Sequence, residues 1–97
     1  MLREDVIARL RAEEAALKRA GVEHLYLFGS VAREQAQPAS DVDLYFEHQK
    51  GAIGLFDLMD LQERIREILG RPVDLLTKDS LHPMLRPGIE ASALRVF

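Results

Sequence analysis

The chain contains no cysteine. A disulfide framework and a thiolate metal site are therefore excluded, and a reducing compartment fits. No stretch approaches the roughly 18–20 apolar residues that a membrane span needs. There is no basic excess either: 13 Lys and Arg stand against 16 Asp and Glu, a net charge of −3. That balance argues against bulk binding along a nucleic-acid backbone, while leaving room for one phosphate site built on a local patch. The N-terminus, MLREDVIARLRAEEAAL, is interrupted by charge every few positions and reads as neither a signal nor a transit peptide. Internal repeats and low-complexity tracts are missing, and His24, His48 and His82 have no spacing that suggests a shared metal. These absences predict a cytoplasmic protein with no membrane and no direct nucleic-acid partner.

What is present fits a small globular domain. The 97 residues, 47% hydrophobic and 30% charged, predict a single domain spanning 1–97 with a limited core. Substrate or partner contacts would then come in part from a second chain, in a homo- or hetero-oligomer. Val6, Ile7, Leu10 and Leu17 recur at helical spacing and predict one amphipathic helix from Arg3 to Ala20, stopped by Gly21. Val22 to Phe28 reads as a buried strand ending at Gly29. Ser30 reads as the N-cap of a short helix that Pro38 breaks.

Asp41 to Glu47 reads as a second strand, with Val42, Leu44 and Phe46 on one face and Asp41, Asp43 and Tyr45 on the other. Leu55 to Leu69 predicts a strong amphipathic helix, with Leu55, Leu58, Leu61, Ile65 and Leu69 inward and Gly70 after it. Pro72 to Leu76 is the third strand. A helix starting at Ser80 or Leu81, made irregular by Pro83, Pro87 and Gly88, and an edge strand over Leu94 to Phe97 complete the chain. The class is α/β (α+β), with helices packed on a small mixed sheet of three to four strands.

The acids carry the chemistry. Side chains alternate along a strand, so Asp41 and Asp43 share a face with Cα atoms roughly 6–7 Å apart. Two carboxylates so placed repel unless a cation lies between them. Magnesium suits them, because it takes one or two carboxylates plus substrate phosphates. Asp74 sits inside the third strand and reaches the same spot if that strand lies beside the second. Three acids on adjacent strands can hold two metal ions roughly 3.5–4 Å apart, the arrangement of in-line phosphoryl and nucleotidyl transfer.

Gly29-Ser30 alone would be an ordinary turn. Placed between a strand and a helix start, it offers backbone N–H groups and a hydroxyl to phosphate oxygens. Arg33, three residues on, adds a planar guanidinium that suits the same oxygens. Tyr45, on the face of the acids, is a candidate wall of the nucleotide pocket. Asp57, Asp60, Glu63 and Glu67 read as the solvated side of their helix.

Gly-Ser, ten residues, then Asp-x-Asp resembles the signature of the polymerase-β-like nucleotidyltransferase superfamily. The fuller stretch, GSVAREQAQPASDVDL, with the later PVDLLT and the tail LHPMLRPGIEASALRVF, is similar to the minimal nucleotidyltransferases over nearly the whole chain. The resemblance implies a polymerase-β palm-like fold, two Mg²⁺ ions and ATP as substrate. It implies that Asp41 and Asp43 would ligate both ions, that Asp74 would complete the catalytic metal site and help activate the acceptor hydroxyl, and that Gly29 and Ser30 would hold the triphosphate. It further implies an antitoxin that adds AMP to a tyrosine of a HEPN-domain toxin of the HepT type and so silences an RNase. This chain departs from the family at Glu34, where a glycine is common, and at Pro87-Gly88, which interrupts a usually smoother helix. Two other functions remain: neutralisation of a toxin by occlusion without catalysis, and AMP transfer to a small molecule.

Overall fold

A computed structural model describes residues 2–35 and 41–97. Pro38, expected to end the short helix, and Ser40 of the quoted motif lie outside the described residues. Among the described residues, five helices and four strands run in the order α1 (Arg3–Ala12), α2 (Glu14–Arg19), β1 (His24–Phe28), α3 (Gly29–Ala32), β2 (Val42–Glu47), α4 (Leu55–Leu69), β3 (Val73–Thr77), α5 (Arg86–Ser92) and β4 (Leu94–Arg95), with a 3-10 turn over Lys78–Ser80. The strands form one mixed sheet in the order β3-β2-β1-β4. β1 pairs antiparallel with β2 and β4, while β2 and β3, joined through α4, run parallel.

Alternation explains the core. Leu25 and Leu27 of β1, and Val42, Leu44 and Phe46 of β2, are fully buried on one face of the sheet. Val6 and Leu10 of α1, Leu17 of α2, and Leu61, Ile65 and Leu69 of α4 are buried in the same cluster. Burying one such aliphatic side chain is worth roughly 1.5–3 kcal/mol, so the face carries most of the fold. α4 begins where the Asp57 carboxylate accepts the Gly54 N–H at 2.9 Å, and ends at Gly70, whose φ is 69°.

Four expectations change. The single first helix is two, broken at Glu13 (φ −104°, ψ 13°). No glycine or proline marks the break; Leu10 before it and Leu17 after it are both fully buried, so tertiary burial overrides helical continuity. Ser30 is not an N-cap: α3 starts at Gly29 behind Phe28 and ends at Ala32, one turn in all. Leu55, expected inward, is 70% exposed beside Phe56 at 78%, because α4 meets the core only from Leu58 onward. The last helix begins at Arg86, with Pro87 in its first turn, where a missing N–H costs nothing. The interruption read at Pro87-Gly88 is thus a start.

Candidate functional site

Register brings the acids together. Asp43 of β2 lies opposite Asp74 of β3 in the parallel pair and opposite Phe28, the last residue of β1, in the antiparallel pair. Asp41 stands one residue before β2 and is exposed; Asp43 is half-buried and Asp74 exposed. Burial pushes the Asp43 carboxyl above its ordinary range, and the negative charges of Asp74 and then Asp41 push it further the same way, against a smaller opposing effect of Arg33. The three carboxylates therefore share one electrostatic neighbourhood. Among the described residues no ion pair reaches any of them.

Gly29 is pressed against the second acid. Its φ is 76°, and a Cβ built there would meet the Asp43 Oδ2 at 2.2 Å and its Cγ at 3.0 Å. Glycine is required twice, by left-handed backbone and by the lack of room. The backbone of the Gly-Ser pair and the Asp43 carboxylate thus touch, which the spacing of ten residues could not reveal. Ser30 is half-buried, and its carbonyl accepts the Gln35 N–H at 2.8 Å. α3 is one turn long, and the N–H groups at its start, as in any helix, have no intrahelical partner.

Arg33 caps the turn and is exposed. Its Nε donates to the Gln35 side chain at 3.2 Å, and its charge is felt at Asp43. Glu34, the residue after it, has a φ of 58°. That left-handed backbone is a physical reason for a glycine to suit the position. Its side chain pairs with Arg3 at 3.4 Å.

Tyr45 shares the Asp43 face but is 3% exposed. Its ring stacks on Tyr26 at 4.7 Å and tilts against Phe28 at 5.7 Å, so it supports the floor beside the acids and is not an open wall. Burial and the nearby Glu90 charge push its hydroxyl up, away from ionisation. Farther along the same face, Lys78 donates to Glu47 at 3.0 Å, and Glu47 in turn receives the Tyr26 hydroxyl at 3.4 Å. This network ties the end of β3 to β2 and β1. The sequence reading assigned none of it, and the acid and base involved lie 31 residues apart.

A groove of about 730 Å³, walled by Glu13, Arg19, Arg64 and Glu67, lies between α2 and α4. None of the three acids borders it. Its walls carry both signs of charge, so cavity size is a poorer guide to chemistry here than the carboxylates on the sheet.

The residues suit a hard divalent cation by donor type, since all three acids offer oxygen and are mutually repulsive without a counter-charge. Among the described residues, no three His, Cys, Asp or Glu side chains are grouped closely enough to hold a metal ion by themselves. A cation here would therefore need further oxygen ligands from water or a phosphate, as magnesium commonly has. No helix among the described residues is long and apolar enough to cross a membrane.

Comparison with known proteins bears on this site. The nucleotidyltransferase domain family matches residues 10–96. The protein adenylyltransferase MntA of Thermococcus cleftensis is 33% identical over 93 residues, covering 95% of this chain and 89% of its own. A solved structure assigned as a minimal nucleotidyltransferase superposes with a TM-score of 0.84 at 33% identity, over 97% of this chain and 95% of that one. The MNT antitoxin solved in complex with a tri-AMPylated HEPN toxin of Shewanella oneidensis shares the fold, with a TM-score of 0.71 at 15% identity over 99% and 72% of the two chains.

Proposed function

The chain belongs to the nucleotidyltransferase domain family, and on that footing we propose that it is a magnesium-dependent antitoxin that transfers AMP from ATP to a tyrosine of a HEPN-family toxin. The observation that carries this reading is the register of Asp43 against Asp74, with Gly29 in contact with Asp43. It sets the Gly29 turn beside the acids at one end of one sheet, which supports reading that turn as the phosphate holder.

In this reading Gly29 and Ser30 hold the triphosphate through N–H groups and the Ser30 hydroxyl. Arg33 swings from Gln35 to the phosphates. Asp41, Asp43 and Asp74 would hold Mg²⁺, which when bound supplies charge neutralisation for the phosphates. The acceptor hydroxyl attacks the α-phosphorus as the bond to pyrophosphate breaks, and Asp74, on the exposed edge of the cluster, takes the hydroxyl proton. Burial and the charges of Asp74 and Asp41 raise the Asp43 carboxyl, an effect a bound counter-ion would oppose. Relatives give the reading its direction: one is named a protein adenylyltransferase, and a fold neighbour is a MNT antitoxin with an AMPylated HEPN toxin.

The test is the intact mass of the HEPN-type toxin after incubation with this chain, Mg²⁺ and ATP. The mass should rise by whole AMP units, and Asp41→Asn or Asp43→Asn should abolish the rise. Neutralisation that persists with no mass gain, in a tight complex of the two proteins, would replace catalysis with occlusion.

A further inference from the structure

One side chain of α1 reaches the turn that follows the Gly-Ser pair. The Arg3 Nη1 donates to the Ala32 carbonyl at 3.0 Å, across 29 residues of sequence. Its Nη2 pairs with Glu34 at 3.4 Å and with Glu4 at 3.6 Å. Ala32 is the last residue of α3, where a helix leaves carbonyls without intrahelical donors. A guanidinium is a strong partner for such an oxygen.

The turn it grips is a single knitted unit. The Arg33 N–H donates to the Gly29 carbonyl, Glu34 to Val31 and Gln35 to Ser30. Holding Ala32 and Glu34 therefore holds the carbonyl side of Gly29 and Ser30 as well. Glu34 is the only non-glycine residue with positive φ among the described residues. Left-handed backbone is unfavourable for an L side chain, and the ion pair with Arg3 is the interaction this glutamate makes in return. The match to the nucleotidyltransferase domain begins at residue 10, so Arg3 is contributed from outside the matched region.

We propose that Arg3 is a positioning residue for the nucleotide: it fixes the turn over residues 29–34 so that Gly29 and Ser30 present their donors to the triphosphate. This rests on the reading of Gly29-Ser30 as the phosphate-holding pair. Arg3 touches no reacting atom and acts only through the turn. Glu34, an L residue held in left-handed backbone, makes the turn depend on Arg3.

The experiment compares the wild type with Arg3→Ala, Arg3→Lys, Glu34→Gly and the double variant R3A/E34G. Amide hydrogen exchange is read in the free chain, ATP·Mg²⁺ affinity by calorimetric titration, and AMP transfer at saturating ATP. Arg3→Ala should speed exchange selectively at Arg33, Glu34 and Gln35. It should also weaken ATP about tenfold, the loss of one charge-assisted contact, with little change in the maximal rate. Arg3→Lys should recover part of the affinity, and Glu34→Gly should make the loss of Arg3 less costly.

Unchanged local exchange and ATP affinity in Arg3→Ala and Arg3→Lys would overturn the proposal. So would faster exchange spread evenly through the core, which marks a tie that only stabilises the fold. Local loosening with wild-type ATP affinity would also overturn it. If the wild type itself binds no ATP, the phosphate reading fails and the proposal falls with it, an outcome visible without any variant.

Discussion

Gly29→Ala isolates the contact on which the site is built. The added Cβ has two separable costs. Left-handed backbone at φ 76° costs an L residue about 1–2 kcal/mol. The overlap with the Asp43 carboxylate, 2.2 Å to Oδ2, adds about 1–3 kcal/mol, the range for overpacking a fitted contact. Together they amount to about 2–5 kcal/mol out of a typical total near 5–15 kcal/mol.

Urea unfolding of the free chain measures this loss without any substrate. The two parts come apart on an Asp43→Ala background. There the carboxylate is gone, the nearest remaining atom is the residue 43 Cβ at 3.1 Å, and only the backbone cost stays in full. Gly29→Ala should then cost about 1–3 kcal/mol less than it does in the wild type. In the transfer assay, Gly29→Ala alone displaces Asp43 by an ångström or so and should lower the rate by about 10²-fold. Equal stability losses on both backgrounds would refute the close approach of Gly29 to Asp43.

Further outcomes follow from the same geometry. Burial and the charges of Asp74 and Asp41 raise the Asp43 carboxyl, so the folded chain holds that proton more tightly than the unfolded chain. Its stability contribution is therefore complete below the unfolded value, about pH 4, and declines as pH rises through the folded one. Asp43→Asn should flatten that part of the melting-temperature profile, and millimolar Mg²⁺ should reduce the decline in the wild type. Ile65→Ala, at a fully buried position of α4, should cost about 2–5 kcal/mol in urea. Leu55→Ala, 70% exposed on the same helix, should stay within about 0.5 kcal/mol. Lys78→Met removes a partly exposed pair with Glu47 and should cost less than about 1 kcal/mol, an effect that added salt shrinks further.

Much of the architecture was legible because its signals are local. α4 has the bounds expected from its apolar period and the glycine after it. The strands carry their inward residues where alternation puts them, and the edge strand at the C-terminus is present at Leu94–Arg95. The Asp41, Asp43 and Asp74 candidates could be named because acids in or next to short apolar runs are conspicuous, although Asp41 stands just ahead of β2 and not within it. What could not be read depends on register and contact. That Asp74 faces Asp43 follows from how β3 docks after the α4 crossover. The pressure of Gly29 on Asp43 is set by backbone that no spacing rule describes. The break at Glu13 has no turn residue to announce it, and Leu55 fits the helical stripe yet lies beyond the end of the core. The tie of Arg3 to Ala32 and Glu34 leaves no mark in the sequence, because those partners are 29 residues or more away.

The strand order has a consequence for how the site comes apart. β1 and β2 occupy the middle of the sheet, and β3 forms an edge with a partner on one side only. Asp43 belongs to a central strand, with Gly29 directly after β1 and Asp41 directly before β2, while Asp74 rides on a margin. Margins of a sheet open at lower free energy than its centre. A transient peeling of β3 would carry one acid away and leave the other two, with the glycine, in place. The three acids thus sit on backbone of two different stabilities, so the cluster can lose one member while the other two stay together.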